Sequence, residues 1–107
     1  MTAMSKITIV AKLTVQEGSN DAFTTAFSDM LSGVEANEPG VEMYVLSWDK
    51  KHENVAWITE LYSDADALET HGSTNHMKAF GEAIGGLLAG RPEISRATPV
   101  AGVGIEL

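Results

Sequence analysis

An α+β domain of the ferredoxin-like type, with element order β-α-β-β-α-β on an antiparallel sheet, is the architecture this sequence predicts. Three observations predict it. Residues 6–15, 41–49 and 55–62 alternate apolar and polar side chains with the period of half-buried strands. Residues 21–38 and the run from about 63 to 88 instead repeat apolar residues every three or four positions, as amphipathic helices do. The polar stretch 50–54 between the second and third strands has hairpin length, so those two strands should pair antiparallel. With a last strand near the C-terminus, the order is that of the split β-α-β motif.

In the first strand Ile7, Ile9, Ala11, Leu13 and Val15 share one face, and Val10 makes the other face partly apolar. Gln16 to Asn20 is turn chemistry, with Ser19 or Asn20 suited to cap a helix carrying Phe23, Phe27, Met30, Leu31 and Val34 on one stripe. Asn37-Glu38-Pro39-Gly40 stops that helix, because proline disfavours helical geometry in the residue before it. On the second strand Val41, Met43 and Val45 oppose Tyr44, Leu46 and Trp48; on the third, Ala56, Ile58, Glu60 and Tyr62 oppose Val55, Trp57, Thr59 and Leu61. Ser63 reads as the cap of a short helix that runs to about His71 and ends at Gly72. Ser73, Thr74 or Asn75 then caps a further helix with Met77, Phe80, Ile84, Leu87 and Leu88 on its apolar side. Residues 94–105 form the last strand, and Pro99 within it points to an edge position.

Composition bounds the function. The chain has 107 residues, 44% hydrophobic and 21% charged, which suits one soluble globular domain over residues 6–107 behind a loose tail of residues 1–5. A net charge of −8 with only seven Lys and Arg excludes the clustered basic surface that nucleic acid or an anionic membrane requires. A neutral or weakly acidic aromatic small molecule is the better partner. No apolar run spans a bilayer and the N-terminus has no secretory pattern, so a cytoplasmic protein is expected. The absence of cysteine removes disulfides and thiolate chemistry. Val10, Leu46 or Met43, Trp57 and Leu61 would be wet in a monomer, which predicts a homodimer packed sheet against sheet.

The reactive groups concentrate in one segment. Glu60, Tyr62, His71 and His76 fall within 17 residues of a chain that has three histidines. Five residues apart on one continuous helix, His71 and His76 would be turned by roughly 140° from each other. The break at Gly72-Ser73 removes that constraint and lets both point towards the sheet. An imidazole is the side chain best suited to move protons near neutral pH. Glu60, a carboxylate on a half-buried strand, needs a partner, and His71 or His76 is the expected one. Tyr62 is placed to hydrogen-bond a substrate oxygen. His52, in the polar hairpin loop, reads as solvated, and Trp48 and Trp57 as packing. A metal site through His71, His76 and Glu60 lacks tight ligand spacing, and no phosphate loop, flavin or nicotinamide motif is present, so no metal or cofactor is expected. The substrate pocket is expected between the sheet face of Ile9, Ala11, Ile58 and Glu60 and the helices carrying Phe27, Met30, Met77 and Phe80.

Glu60-Leu61-Tyr62, Asp64, Ala67-Leu68, His71 and Ser73-Thr74-Asn75-His76-Met77 carry a resemblance. In these residues, and in element order over nearly all of 6–103, the chain resembles the antibiotic biosynthesis monooxygenase superfamily. The resemblance implies a dimeric α+β barrel of ferredoxin-like subunits. It also implies a cofactor-independent monooxygenase oxidising a phenol, hydroquinone or polycyclic aromatic with dioxygen. On that reading His71 or His76 takes the proton of the substrate hydroxyl, Glu60 holds that histidine, and the substrate anion itself reduces O2. The superfamily also contains haem degraders and isomerases of small sugar-like phosphates. Haem degraders use an asparagine on the first strand, a tryptophan closing the third and a histidine on the following helix. Those positions fall here on Ala11, Tyr62 and about Gly81, so haem degradation is not expected. Many members have a proline before the second histidine, where this chain has Asn75. The same acid–base set would serve an isomerase of a small carbonyl compound, and a non-catalytic ligand-binding or stress module would keep the pocket without the chemistry.

Overall fold

Alternation in the sequence becomes alternation in burial. In β1 (Ile7–Thr14), Ile7, Ile9, Ala11 and Leu13 are buried while Val10 is exposed. The computed structural model describes residues 5–107; residues 1–4 of the expected tail lie outside the described residues. The helix α1 (Asn20–Asn37), β2 (Val41–Trp48), β3 (Val55–Tyr62), α2 (Ala65–Gly72), α3 (Asn75–Ile84) and β4 (Glu93–Ala97) follow in the ferredoxin-like order. The four strands form one antiparallel sheet in the order β2-β3-β1-β4.

Register puts Ala11 opposite Ile58, Ile9 opposite Glu60 and Tyr44 opposite Glu60. One sheet face is thereby made of Ile9, Ala11, Leu13, Ala56, Ile58, Leu46 and Trp48, and the helices cover it. Phe23, Phe27, Met30 and Val34 of α1 and Phe80 and Ile84 of α3 fill the space between. The Phe23 and Phe27 rings meet Phe80 edge-on at 5.8 and 5.9 Å, a favourable aromatic arrangement. Trp48 sets its edge against Phe23 in this core, whereas Trp57 lies on the outer face, where its Nε1–H donates to Asp49 at 2.8 Å.

Several boundaries differ from the expectation for local reasons. Asp64, not Ser63, caps α2, its carboxylate accepting from the Ala67 N–H at 2.8 Å. Thr74 caps α3 by accepting from the Met77 N–H. Ser19 stands at the start of α1 without a side-chain bond to it, and Asn20 instead donates to the Glu53 carbonyl at 2.6 Å. Leu87 and Leu88 lie beyond α3, in a return segment that bridges to Val15. The last strand is five residues long and ends at Ala97, two residues before Pro99, and it occupies the edge position that the proline signalled. Val10 and Val45 are exposed on the outer face. Of the alternatives Leu46 and Met43, Met43 is the one on that face, paired with Leu61, while Leu46 belongs to the helix-covered face. Leu61 is buried, contrary to the wet position expected for it. No helix among the described residues is long and apolar enough to cross a membrane.

Candidate active site

The turn that ends α1 builds the centre of the site. Glu38 follows the last helical residue, and its backbone N–H still closes on the Val34 carbonyl while its own carbonyl receives the Val41 N–H. With both backbone groups spent, the turn directs the Glu38 side chain inward, where it is buried. Two helices supply its partners. His71 in the last turn of α2 places Nδ1 2.9 and 3.2 Å from the two Glu38 oxygens. His76 in the first turn of α3 brings Nε2 onto Glu38 Oε2 from the other side. The helix break at Ser73 and Thr74 is what lets both rings converge on one carboxylate.

These contacts assign the tautomers. A carboxylate can only accept, so His71 carries its hydrogen on Nδ1 and His76 carries one on Nε2. In neutral His71 the other nitrogen, Nε2, is therefore an acceptor, and the Tyr44 hydroxyl lies 3.2 Å from it and donates. Glu38, His71 and Tyr44 thus form a line of carboxylate, imidazole and hydroxyl. Burial holds the His71 pKa below the ordinary imidazole value, with the Glu38 carboxylate pulling the other way. Burial, reinforced by the Glu60 and Glu38 charges, pushes the Tyr44 phenol well above its ordinary value, so its O–H stays protonated.

His76 is positioned by an absence. A Cβ at Gly33 of α1 would overlap the His76 ring, so the helix must carry glycine there for the imidazole to reach Glu38. Gly40 does the same for the neighbouring turn, where a Cβ would overlap that of Ala67 in α2.

Of the residues singled out in the sequence, His71 and His76 come together, their ring centroids 6.4 Å apart. Glu60 is not their carboxylate. It accepts instead from the Tyr62 hydroxyl at 2.5 Å, both side chains being buried. Residues two apart on a strand share a face, so Tyr62 reaches Glu60 before any helix can. Burial raises the Glu60 pKa, opposed by this hydrogen bond, and burial together with Glu60 raises that of Tyr62. The Tyr62 ring packs beside His71 at 5.7 Å, so the two polar clusters are neighbours. The six expected substrate contacts, Ala11, Phe27, Met30, Ile58, Phe80 and Met77, pack against one another in the core. The main cavity opens one layer further out. It is a groove of about 530 Å3 between α1 and β2, lined by Ser28, Leu31, Val34, Met43 and others, with Glu38 and Tyr44 on its wall. Glu35 and Glu42 also line it, and Lys6 pairs with Glu42 at 2.6 Å.

Two functional candidates escaped the sequence reading. Glu38 looked like part of a helix stop, and nothing local distinguishes it from a solvated carboxylate. Tyr44 did carry a signal: a phenol on the same strand face as Leu46 and Trp48 needs a buried partner for its hydroxyl.

The family model for antibiotic biosynthesis monooxygenases matches residues 6–83. A crystal structure of a candidate antibiotic biosynthesis monooxygenase from Caulobacter crescentus CB15 is 39% identical, with a TM-score of 0.88 over 92% of this chain and 93% of that one. Similar candidates from Chloroflexus aurantiacus and Nitrosomonas europaea are 24% and 13% identical, with TM-scores of 0.82 and 0.86. They cover 95% and 97% of this chain and 100% and 99% of their own, and at those identities they bear on the fold alone. No curated protein matches the chain.

Proposed function

The chain belongs to the antibiotic biosynthesis monooxygenase family, and from that membership we propose that it oxidises a hydroxylated aromatic, a phenol, hydroquinone or polycycle, with dioxygen and without a cofactor. The observation that carries this reading is the Glu38–His71–Tyr44 line ending on the groove. Carboxylate, imidazole and hydroxyl in series are the arrangement by which a buried base is oriented, polarised and connected to a reacting group. Tyr44 and Glu38 both line the groove and His71 bridges them. In this proposal the substrate hydroxyl gives its proton to the Tyr44 oxygen as the Tyr44 proton passes to His71 Nε2. Glu38 then stabilises the imidazolium through Nδ1–H. Burial, by keeping His71 neutral at rest, leaves it free to accept.

The substrate anion left in the groove is electron-rich enough to reduce O2 itself. One oxygen atom enters the ring carbon as a carbonyl, and the other leaves as water with the two hydrogens lost from the substrate. A groove of about 530 Å3 lies within the range of small-molecule sites, about 300–1,000 Å3, and admits two or three fused rings. Glu35, Glu38 and Glu42 on its wall favour a neutral substrate over an anionic one. His76 holds the far side of Glu38 and is a positioning residue.

A second copy of the chain packs on the outer sheet face in this proposal. Val10 of β1 and Val45 of β2 are exposed there, both paired in register with Thr59 of β3, and Trp57 lies on the same face. Apolar groups grouped in this way support an interface.

Oxygen uptake on adding hydroquinones and anthrones tests the reading. Uptake with a matching quinone product, lost in Tyr44→Phe and His71→Ala, is expected. Turnover of a carbonyl substrate under anaerobic conditions would replace oxidation by acid–base isomerisation. Ligand binding by calorimetry with no turnover of either kind would make the chain a binding module.

A further inference from the structure

Spacing along the chain argued against a metal site, but it did so with Glu60 as the third ligand. The fold supplies Glu38 instead. A Glu38 oxygen and one ring nitrogen each from His71 and His76 all lie within 4.8 Å of one another. Two imidazoles and one carboxylate are the donor set of three-ligand zinc sites that keep a further position open. Ligand atoms bonded at about 2.0–2.1 Å in tetrahedral geometry stand roughly 3.3 Å apart. His71 Nδ1 is already 2.9 and 3.2 Å from the Glu38 oxygens, so small side-chain shifts would complete the shell.

Three further features fit an ion of this kind. The ligands come from the ends of three helices packed on one sheet, which fixes their approach. Tyr44 provides the outer hydrogen bond that metal-bound histidines use to fix their ring, since its oxygen can accept from His71 Nε2–H. Glu38 borders both the main groove and a second cleft of about 170 Å3 lined by Asn37, Pro39 and Thr70, so an ion and its waters have a way in. The two imidazoles select against magnesium and calcium, which prefer oxygen ligands throughout.

We propose that Glu38, His71 and His76 bind a zinc-type divalent ion, and that the ion and the proton relay exclude each other. An ion on His71 Nδ1 requires the ring hydrogen to sit on Nε2. That nitrogen then donates to Tyr44 and cannot take its proton. A neutral ring changes tautomer without gaining or losing a proton overall. The bound ion therefore inhibits turnover by locking the tautomer. The ion site stands on the three side chains; its effect on turnover rests on the oxidation reading above.

The test uses the full chain freed of metal with a chelator and titrated with Co2+. Expected are the visible d–d bands of a low-coordinate cobalt site, saturating at one ion per chain, bleached by Zn2+ and untouched by Mg2+. Glu38→Gln, His71→Ala and His76→Ala each remove a ligand and should weaken cobalt binding by at least about a hundred-fold, the upper end of what losing a mere outer-shell partner costs. His52→Ala, in the exposed hairpin loop, should bind as the natural chain does. Circular dichroism checks that each variant folds, and His76, partly exposed, is the one whose loss perturbs the core least. No cobalt bands in the natural chain, or undiminished affinity in a folded His76→Ala, overturns the site. Zn2+ should suppress oxygen uptake with the midpoint at which it bleaches cobalt; full activity with the site saturated overturns the inhibition. A chain that binds zinc through the triad but oxidises no aromatic would sink the oxidation reading and leave the ion site standing.

Discussion

His71 Nδ1 and the Glu38 carboxylate, 33 residues apart in the chain, meet at 2.9 Å with both side chains buried. A second carboxylate, Glu60, lies nearby with a different partner, and the two can be separated by experiment. Glu38→Gln keeps the shape but removes the charge that stabilises the imidazolium, and kcat for oxidation should fall by about 100-fold or more. Glu60→Gln should change it by less than about ten-fold. The reverse order in steady-state oxygen uptake would restore Glu60 as the carboxylate of the site.

Tyr44→Phe leaves the ring against Phe27, where the centroids stand 5.5 Å apart, and removes only the hydroxyl. Unfolding in denaturant should show a loss of about 1 kcal/mol, the usual worth of one hydrogen bond. Turnover should fall by at least about 100-fold, because His71 loses its connection to the groove. A stable Tyr44→Phe variant with full activity would mean that the substrate reaches a histidine directly.

Glu60 sets a pH dependence of stability. Burial raises its folded pKa above the unfolded value, so the folded chain holds this proton more tightly. Its contribution is present below the ordinary glutamate range and is lost as pH rises through the raised folded value. Glu60→Gln is neutral throughout. Relative to the natural chain its melting temperature should therefore climb between acid and neutral pH. A difference that stays flat, or falls, would show that Glu60 is not destabilised by burial.

Gly33→Ala should move the His76 ring off Glu38. The overlap costs about 1–3 kcal/mol, and the oxidation rate should drop with it. Gly81→Ala is the matched control: it lies within α3 with open space where its Cβ would go, and should gain about 0.5–1 kcal/mol in the same denaturation assay.

Light scattering should give twice the chain's 11.4 kDa. Val10→Lys combined with Val45→Lys, which charges the exposed outer face, should shift the population to single chains. A natural chain that scatters as a monomer at micromolar concentration would remove the proposed interface.

Most of the fold was legible because it is written in local periods. The buried alternation of Ile7 to Leu13, the stripe from Phe23 to Val34 and the Val55–Tyr62 strand need no knowledge of distant residues. Half of the site was legible for the same reason: two histidines beside a helix break are a local pattern. The other half was not. Glu38 owes its burial to α2 and α3, elements that follow it by more than 25 residues, and neither its neighbours Asn37 and Pro39 nor its helix-stop context predicts them. Glu60 misled because a strand position states which face a side chain occupies and not which group on that face it finds first. The last strand was read too long because apolar residues such as Val100 and Val103 resemble a strand, although nothing in the described chain pairs with them.

The Glu38 carboxylate comes from the turn that joins the first half of the motif, and both imidazoles come from the second half. Neither half owns a site. The Glu38–His71–His76 cluster comes together only when the two halves dock, among other contacts through the β1–β3 and β2–β3 ladders. If the chain turns over the proposed substrate, that turnover would report on assembly. A chain opened in the loop around Lys51 would yield two silent fragments whose recombination could be followed by the return of turnover, which makes the 49–55 connection a natural place to divide this protein into a complementation pair.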